Sequence, residues 1–572
     1  PLCGKLEERG ADCGECNPRL FSFALVFLEK IRIMGSTNEQ GGGHMRRLWY
    51  NGRVDTMGVP MVRHEAIGIQ DGTILFLGSD REALSQFWDE TTNLEGKQVL
   101  PGFSDTHMHL LHYALFKKNL PLFAVSSIET MIRLGRERIA RDHPACLLGM
   151  GWNQEQLAEK RMPCRQDLDR ISTEIPICML RACAHVAACN TVMVKRLQAI
   201  KGKVEPSVWA KVDTERGLLR EEAMRLYLEI IPPESEEEIQ TMIRRGAAEL
   251  NAAGITCVHS DDLQVLPGVH PNRLVDLFRQ VEREGTLTVR VYEQCLLDPE
   301  QLEPFQAARS APSDRASLFR TGPRKLLQDG SLGAKSAELM GGYADDPHNH
   351  GIPIHGEEEL YQLIQAAHSR RMDVAVHAIG DLALQKVCDA VERVQREDPW
   401  PQARHGVVHA QITTLALLRR MRELNLQAYI QPIFLDADMK VVAQRVGEER
   451  AKTCYHWKSM LELGLHVSGG SDCPVEPFSI LDNLRAAVTR RNRAGTDTFL
   501  PDQALTVEEG LRLFTSYAAW ASRDEKVRGT LEVGKQADLV VLDGDLFQSD
   551  PEAFPEVNVW ETVLNGATVY HR

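Results

Sequence analysis

The chain has 572 residues, enough for more than one domain and a large buried core, and its 43% hydrophobic and 26% charged residues are an ordinary globular composition. A formal net charge of -14 argues against a general binder of nucleic acid or anionic membranes. No run approaches the ~20 apolar residues needed to span a bilayer. The 13 cysteines are odd in number and scattered, which points to reduced thiols in a cytoplasmic protein rather than a disulfide framework.

Residues 1–44 differ in character from the rest of the chain. Cys13 and Cys16 form a CxxC with no second pair at zinc spacing. The apolar stretch from Leu20 to Leu28 comes after Glu7, Glu8 and Asp12 and lacks a small-residue cleavage site, unlike a signal peptide. Gly41-Gly42-Gly43-His44 reads as a junction, so 1–44 is expected to be a poorly ordered leader and the native domain to begin near Met45.

From Arg46 to about Leu100 short apolar runs meet turn signals at Asn51-Gly52 and Asp71-Gly72. The C-terminus repeats this character, with Ala537 to Leu542 running into Asp543-Gly544 and Val563-Leu564 into Asn565-Gly566. Both ends read as antiparallel β. The economical arrangement is one small β-sandwich built from residues 45–98 and 526–572 around a different domain.

That central domain, residues 99–525, alternates helix-like and strand-like runs. Ala253 to His259, Met372 to His377, Gly406 to His409 and Leu465 to Asp472 each follow a helical pattern and end on polar residues. The alternation predicts a parallel α/β architecture, and in a (β/α)8 TIM-like barrel the strand ends carry the active site. His377 and His409 lie about one βα unit of roughly 30 residues apart, and His409 and Asp472 about two. The stretch from His109 to Lys325 is too long for three units, so an inserted lid subdomain is expected at about residues 113–232.

His107 and His109 end the run Pro101 to His109. In a strand, residues i and i+2 face the same way, so the two imidazoles converge. With His377, His409 and Asp472 they make a candidate ligand set of imidazoles and a carboxylate, suited to zinc and also to iron or manganese. Asp472 sits in Gly469-Gly470-Ser471-Asp472-Cys473-Pro474, where the glycines permit close backbone approach.

The ordered motifs resemble the amidohydrolase superfamily, in the family 3 branch that includes N-substituted formamide deformylases. The matching stretches are Pro101 to His109, Lys325 to Gly333, His377 to Asp381, His409 to Gln411, Gly470 to Val475 and Gly529 to Val541, and the likeness runs from about Met45 to the end. The resemblance implies that His107, His109, His377, His409 and Asp472 bind a divalent metal, zinc first. It places Lys325 where relatives carry a carboxylated lysine bridging two ions. Whether one or two ions bind, and whether Lys325 instead pairs with Asp329 or a substrate carboxylate, stays open.

The implied reaction is hydrolysis of a C–N bond in a small molecule, an amide, N-formyl or related group, by metal-activated water with Asp472 as general base. The same centre could instead open a cyclic amide or lactone or deaminate a heterocycle. A ligand-sensing or regulatory barrel is the non-catalytic alternative. Trp152, His185, Arg220, Asp329 and Gln431 are candidate substrate contacts. Where relatives carry Asp-Gly-His, this chain reads Cys183-Ala184-His185, which implies an altered pocket. A homodimer is plausible by resemblance.

Overall fold

The computed structural model describes residues 45–182, 185–308 and 317–572. The leader with its CxxC, and the Cys183-Ala184 departure, lie outside the described residues. The rest divides into two units, residues 45–112 with 236–572, and residues 113–235.

In the first unit eight parallel strands form a nearly closed barrel. They are β1 (Phe103–Met108), β2 (Ile255–Ser260), β3 (Arg290–Leu296), β4 (Phe319–Leu327), β5 (Val374–Ala378), β6 (Gly406–His409), β7 (Gln427–Ile430) and β8 (His466–Gly469), each hydrogen-bonded to the next in parallel. Strands buried on both faces read as continuous apolar runs, as in Val374-Ala375-Val376 and Val407-Val408. The helices between them bury one stripe, such as Leu384, Val387, Val391 and Val394 of Asp381–Glu397.

The first and last strands meet at the end that carries the histidines. Thr106 Oγ1 donates to the Gly469 carbonyl at 3.0 Å, and the Asp472 amide to the His107 carbonyl at 2.7 Å. Gly470 permits this approach, because a Cβ there would lie 2.6 Å from the His107 nitrogen. Inside the barrel His259 packs edge-on against Tyr292, with ring centroids 5.0 Å apart. Its strand continues through Ser260, so the residue that directly succeeds β2 is Asp261.

Two further sheets in this unit face a shared core that includes Trp49, Ile69, Val99, Leu539 and Val563. One has four strands, from Thr73–Gly78 to Glu90–Asn93; the other has six, from Ala567–His571 to Arg63–His64. Strands from both ends of the chain share the six-stranded sheet, with Val541 opposite Val99 in antiparallel register. Asp71-Gly72 and Asn565-Gly566 close two-residue hairpins between Gln70 and Thr73 and between Leu564 and Ala567, with the positive φ such turns demand. Asn51-Gly52 does something different: it is the corner at which the chain leaves the four-stranded sheet for the six-stranded one.

The second unit has a six-stranded sheet of its own, ordered from Val212–Asp213 to Leu120–Pro121. Helix Ile128–Asp142 starts on a Ser127 cap and helix Thr191–Ile200 on an Asn190 cap. Among the described residues no helix is long and apolar enough to cross a membrane.

Candidate metal centre

His107 and His109 leave the end of β1, His409 ends β6, and Asp472 comes three residues after β8. One ligand atom each from His107, His409 and Asp472 lie within 4.8 Å of one another. Asp472 Oδ1 is 3.3 Å from His107 Nε2 and 3.0 Å from His109 Nε2. His377, next to last in β5, lies beside them, its ring edge-on to His409 with centroids 4.5 Å apart. Its Nε2 points to the Gly330 carbonyl at 3.0 Å. His409, Ala410 and Asp472 hold positive φ values of 80°, 46° and 59°. Such backbone in non-glycine residues is uncommon and collects at functional sites.

The hydrogen bonds assign each imidazole's proton. His107 Nδ1 is 2.8 Å from Gln294 Oε1, His409 Nδ1 is 2.7 Å from Gln431 Oε1, and His109 Nδ1 is 3.0 Å from the Asp261 carbonyl. All three acceptors lack protons, so each Nδ1 donates, and where the ring is neutral its Nε2 is left with a lone pair. Lys325 Nζ lies 3.3 Å from His107 Nε2 and 3.2 Å from Asp261 Oδ2, so the ammonium donates to both.

Charge is set by burial and neighbours. Burial, then the Lys325 ammonium, lowers His107 to about 4. Burial, then His377, holds His409 well below the usual imidazole range. Both rings are neutral at neutral pH. For His109, burial opposes charge, but the bond to Asp472 outweighs it and raises the ring to about 9. Burial likewise works to raise Asp472, and the imidazoles outweigh it, holding the carboxyl well below its usual range. His109 is the proton donor to Asp472, since His107 has committed its proton to Gln294.

The match to the amidohydrolase family model runs over residues 90–570. The chain belongs to the amidohydrolase family. It is 30% identical to the putative amidohydrolase YtcJ of Bacillus subtilis (strain 168), over 92% of this chain and 100% of that protein. It is 25% identical to the N-substituted formamide deformylase of Arthrobacter pascens, over 89% and 95%. Among solved structures it is similar to an uncharacterized metal-dependent hydrolase from Pyrococcus horikoshii OT3, with a TM-score of 0.74, 27% identity, and 88% and 99% of the two chains covered.

The other sequence-selected residues of this amidohydrolase fall in different surroundings. Asp329 is buried after β4; it accepts from the Ile379, Gly380 and Glu338 amides at 3.0, 2.8 and 2.9 Å and lies 3.4 Å from His377 Nε2. Gln431 is 3% exposed and bonded to His409. Trp152 lies in the hydrophobic core of the second unit, its indole donating to the Met179 carbonyl at 2.7 Å. His185 is half-buried in that unit and pairs with Glu221 at 2.9 Å; Arg220 is exposed at the end of the strand Leu218–Arg220.

Three residues at the amidohydrolase centre were not singled out from the sequence. They are Asp261, Gln294 and Phe434, whose ring stacks on His409 with centroids 5.8 Å apart. The available signal was position. Asp261 directly succeeds β2, and Gln294 lies near the C-terminal end of β3, where barrels carry functional groups.

Proposed function

We propose that the protein hydrolyses a C–N bond of a small molecule, an amide, N-formyl or related acyl-amine group, with Asp472 as general base. The observation that carries this reading is the Asp472 carboxylate set against the Nε2 atoms of His107 and His109 at the joined ends of β1 and β8. The name of the Arthrobacter pascens relative supports the bond class.

The donor set fits a divalent cation. His107 and His409 present unprotonated Nε2 atoms beside the Asp472 carboxylate, and His109 adds a ring whose Nε2 proton a metal ion can replace. Nitrogen and carboxylate donors favour zinc. His107, His409 and Asp472 would hold the ion, with His109 and His377 adjoining. Bound there, such an ion makes water acidic enough to ionise near neutral pH and draws electron density from a carbonyl oxygen.

The protein's own groups do the rest. His107 and His409, kept neutral by burial, bind without carrying charge into the centre. Asp472 takes a proton from the attacking water as the new C–O bond forms. It then gives that proton to the nitrogen as the C–N bond breaks. The Asp472 amide bond to the His107 carbonyl fixes the carboxylate relative to β1. Lys325 bears on the number of ions: an ammonium repels a cation, whereas a carboxylated lysine would become a ligand. The 3.2 Å pairing with Asp261 stabilises the ammonium and supports the single-ion reading.

The test combines metal content of the purified protein with hydrolysis of a panel of N-formyl and N-acyl amines. Bound divalent metal and release of free amine are expected, with a rate loss of about 10²–10⁴-fold in Asp472→Asn. An Asp472→Asn protein that hydrolyses at the wild-type rate would refute the base assignment. Native intact mass, read beside metal stoichiometry, distinguishes ammonium from carboxylated Lys325.

A further inference from the structure

We propose that Gln294 and Gln431 are positioning residues that lock the tautomers of His107 and His409, so that each ring offers an unprotonated Nε2 to a divalent cation. The proposal rests on the reading of a metal-dependent centre and deepens it.

The two glutamines come from different strands and are wired alike. Gln294, in β3, accepts from His107 Nδ1 through Oε1 at 2.8 Å and donates from Nε2 to the Thr106 carbonyl at 3.2 Å. Gln431, one residue after β7, accepts from His409 Nδ1 at 2.7 Å and donates to the Tyr429 carbonyl at 3.0 Å. Each amide is therefore oriented by a backbone carbonyl that can only accept. Turning the amide over would set oxygen against that carbonyl and N–H against Nδ1–H, losing both bonds. The side chains are 0% and 3% exposed, and a buried amide is costly unless both ends are bonded. Here both ends are bonded, and one bond of each goes to a candidate ligand.

The choice of an amide also matters. A carboxylate would accept the same proton, but it would add negative charge and make the imidazole more basic. Glutamine fixes the proton on Nδ1 and leaves the ring neutral. At His109 the Asp261 carbonyl accepts the Nδ1 proton through backbone alone.

The experiment measures zinc affinity by chelator competition for the wild type, Gln294→Leu, Gln431→Leu and Gln294→Glu, with circular dichroism to establish folding. Histidine side-chain ¹⁵N NMR on the selectively labelled, metal-free proteins reports the tautomers. Both leucine variants are expected to bind zinc about 10–100-fold more weakly and to show protonated Nε2 at the affected ring. Gln294→Glu keeps the acceptor and is expected to retain the Nδ1–H tautomer. A purely structural role would not move the tautomer signal. Folded leucine variants with wild-type affinity and unchanged tautomers would overturn the proposal. If a leucine variant fails to fold, loss of the Nδ1–H tautomer in Gln294→Glu overturns it instead. A wild type that binds no divalent ion would sink the metal reading, while the tautomer measurement still decides the lock.

Discussion

Replacing Gly470 by alanine probes the joint between β1 and β8 without changing the side chain of a candidate ligand. The new Cβ would lie 2.6 Å from the His107 nitrogen, 3.0 Å from the His107 carbonyl oxygen and 3.0 Å from Asp105 Oδ1. Two of these atoms are backbone and cannot swing aside. Ordinary contact needs ~3.5 Å, so the strand ends must part by roughly 0.5–1 Å. Overpacking of this kind costs about 1–3 kcal/mol. The larger effect falls on chemistry, because the His107 carbonyl is the acceptor for the Asp472 amide. A ~1 Å misplacement can lower a rate by about 10²-fold. Thermal melting, zinc competition and amine release read the three consequences separately. A Gly470→Ala protein with wild-type zinc affinity and rate would refute the claim that this approach sets the centre's geometry.

The same structure sets other expected outcomes. Burial lowers His405 to about 4, and its Nε2 bonds His368 Nδ1 at 2.8 Å. Its folded value lies below the unfolded ~6.5. The stabilisation is therefore present above pH 6.5 and lost as pH falls through 4, about 3 kcal/mol in all. Urea midpoints from pH 7 to 4 should fall less steeply in His405→Gln; equal slopes would contradict this. Arg290→Met should cost about 3–5 kcal/mol, because it strands Asp538, now bonded at 2.7 and 3.2 Å; adding Asp538→Asn should recover part of the loss in chemical denaturation. With His109 raised to about 9, zinc binding at pH 7 should release about one proton, seen by titration calorimetry in buffers of different ionisation enthalpy.

The barrel could be read from the sequence because each apolar run ends on a residue that rarely terminates a strand by chance, at a spacing that matches a βα unit. His107, His409 and Asp472 stand out for that reason. Asp261 and Gln294 escaped because simple alternation fails where they lie. The β1–β2 pairing shifts register between Val258 and Ser260, and the β3–β4 pairing between Glu293 and Cys295. Such irregularities re-aim side chains next to active sites, and counting faces from His259 therefore points into the barrel. Asn51-Gly52 carried a correct turn signal, yet a turn dipeptide does not say which sheet the chain enters next. In residues 113–235 strands as short as Leu120–Pro121 and Val212–Asp213 are too brief for periodicity to register.

The pairing of Val99 with Val541 has a consequence for biosynthesis. When Gln98–Pro101 leaves the ribosome, its antiparallel partner Leu539–Leu542 is still roughly 440 residues away. At ~5–20 residues per second, that is about 20–90 s of waiting. Throughout that interval one edge of a buried, apolar strand has no neighbour, the condition under which nascent chains pair wrongly with each other. The barrel faces the same delay, since β1 awaits β8. Yield in a cell should therefore depend on chaperone supply and translation speed more than on the stability of the finished protein.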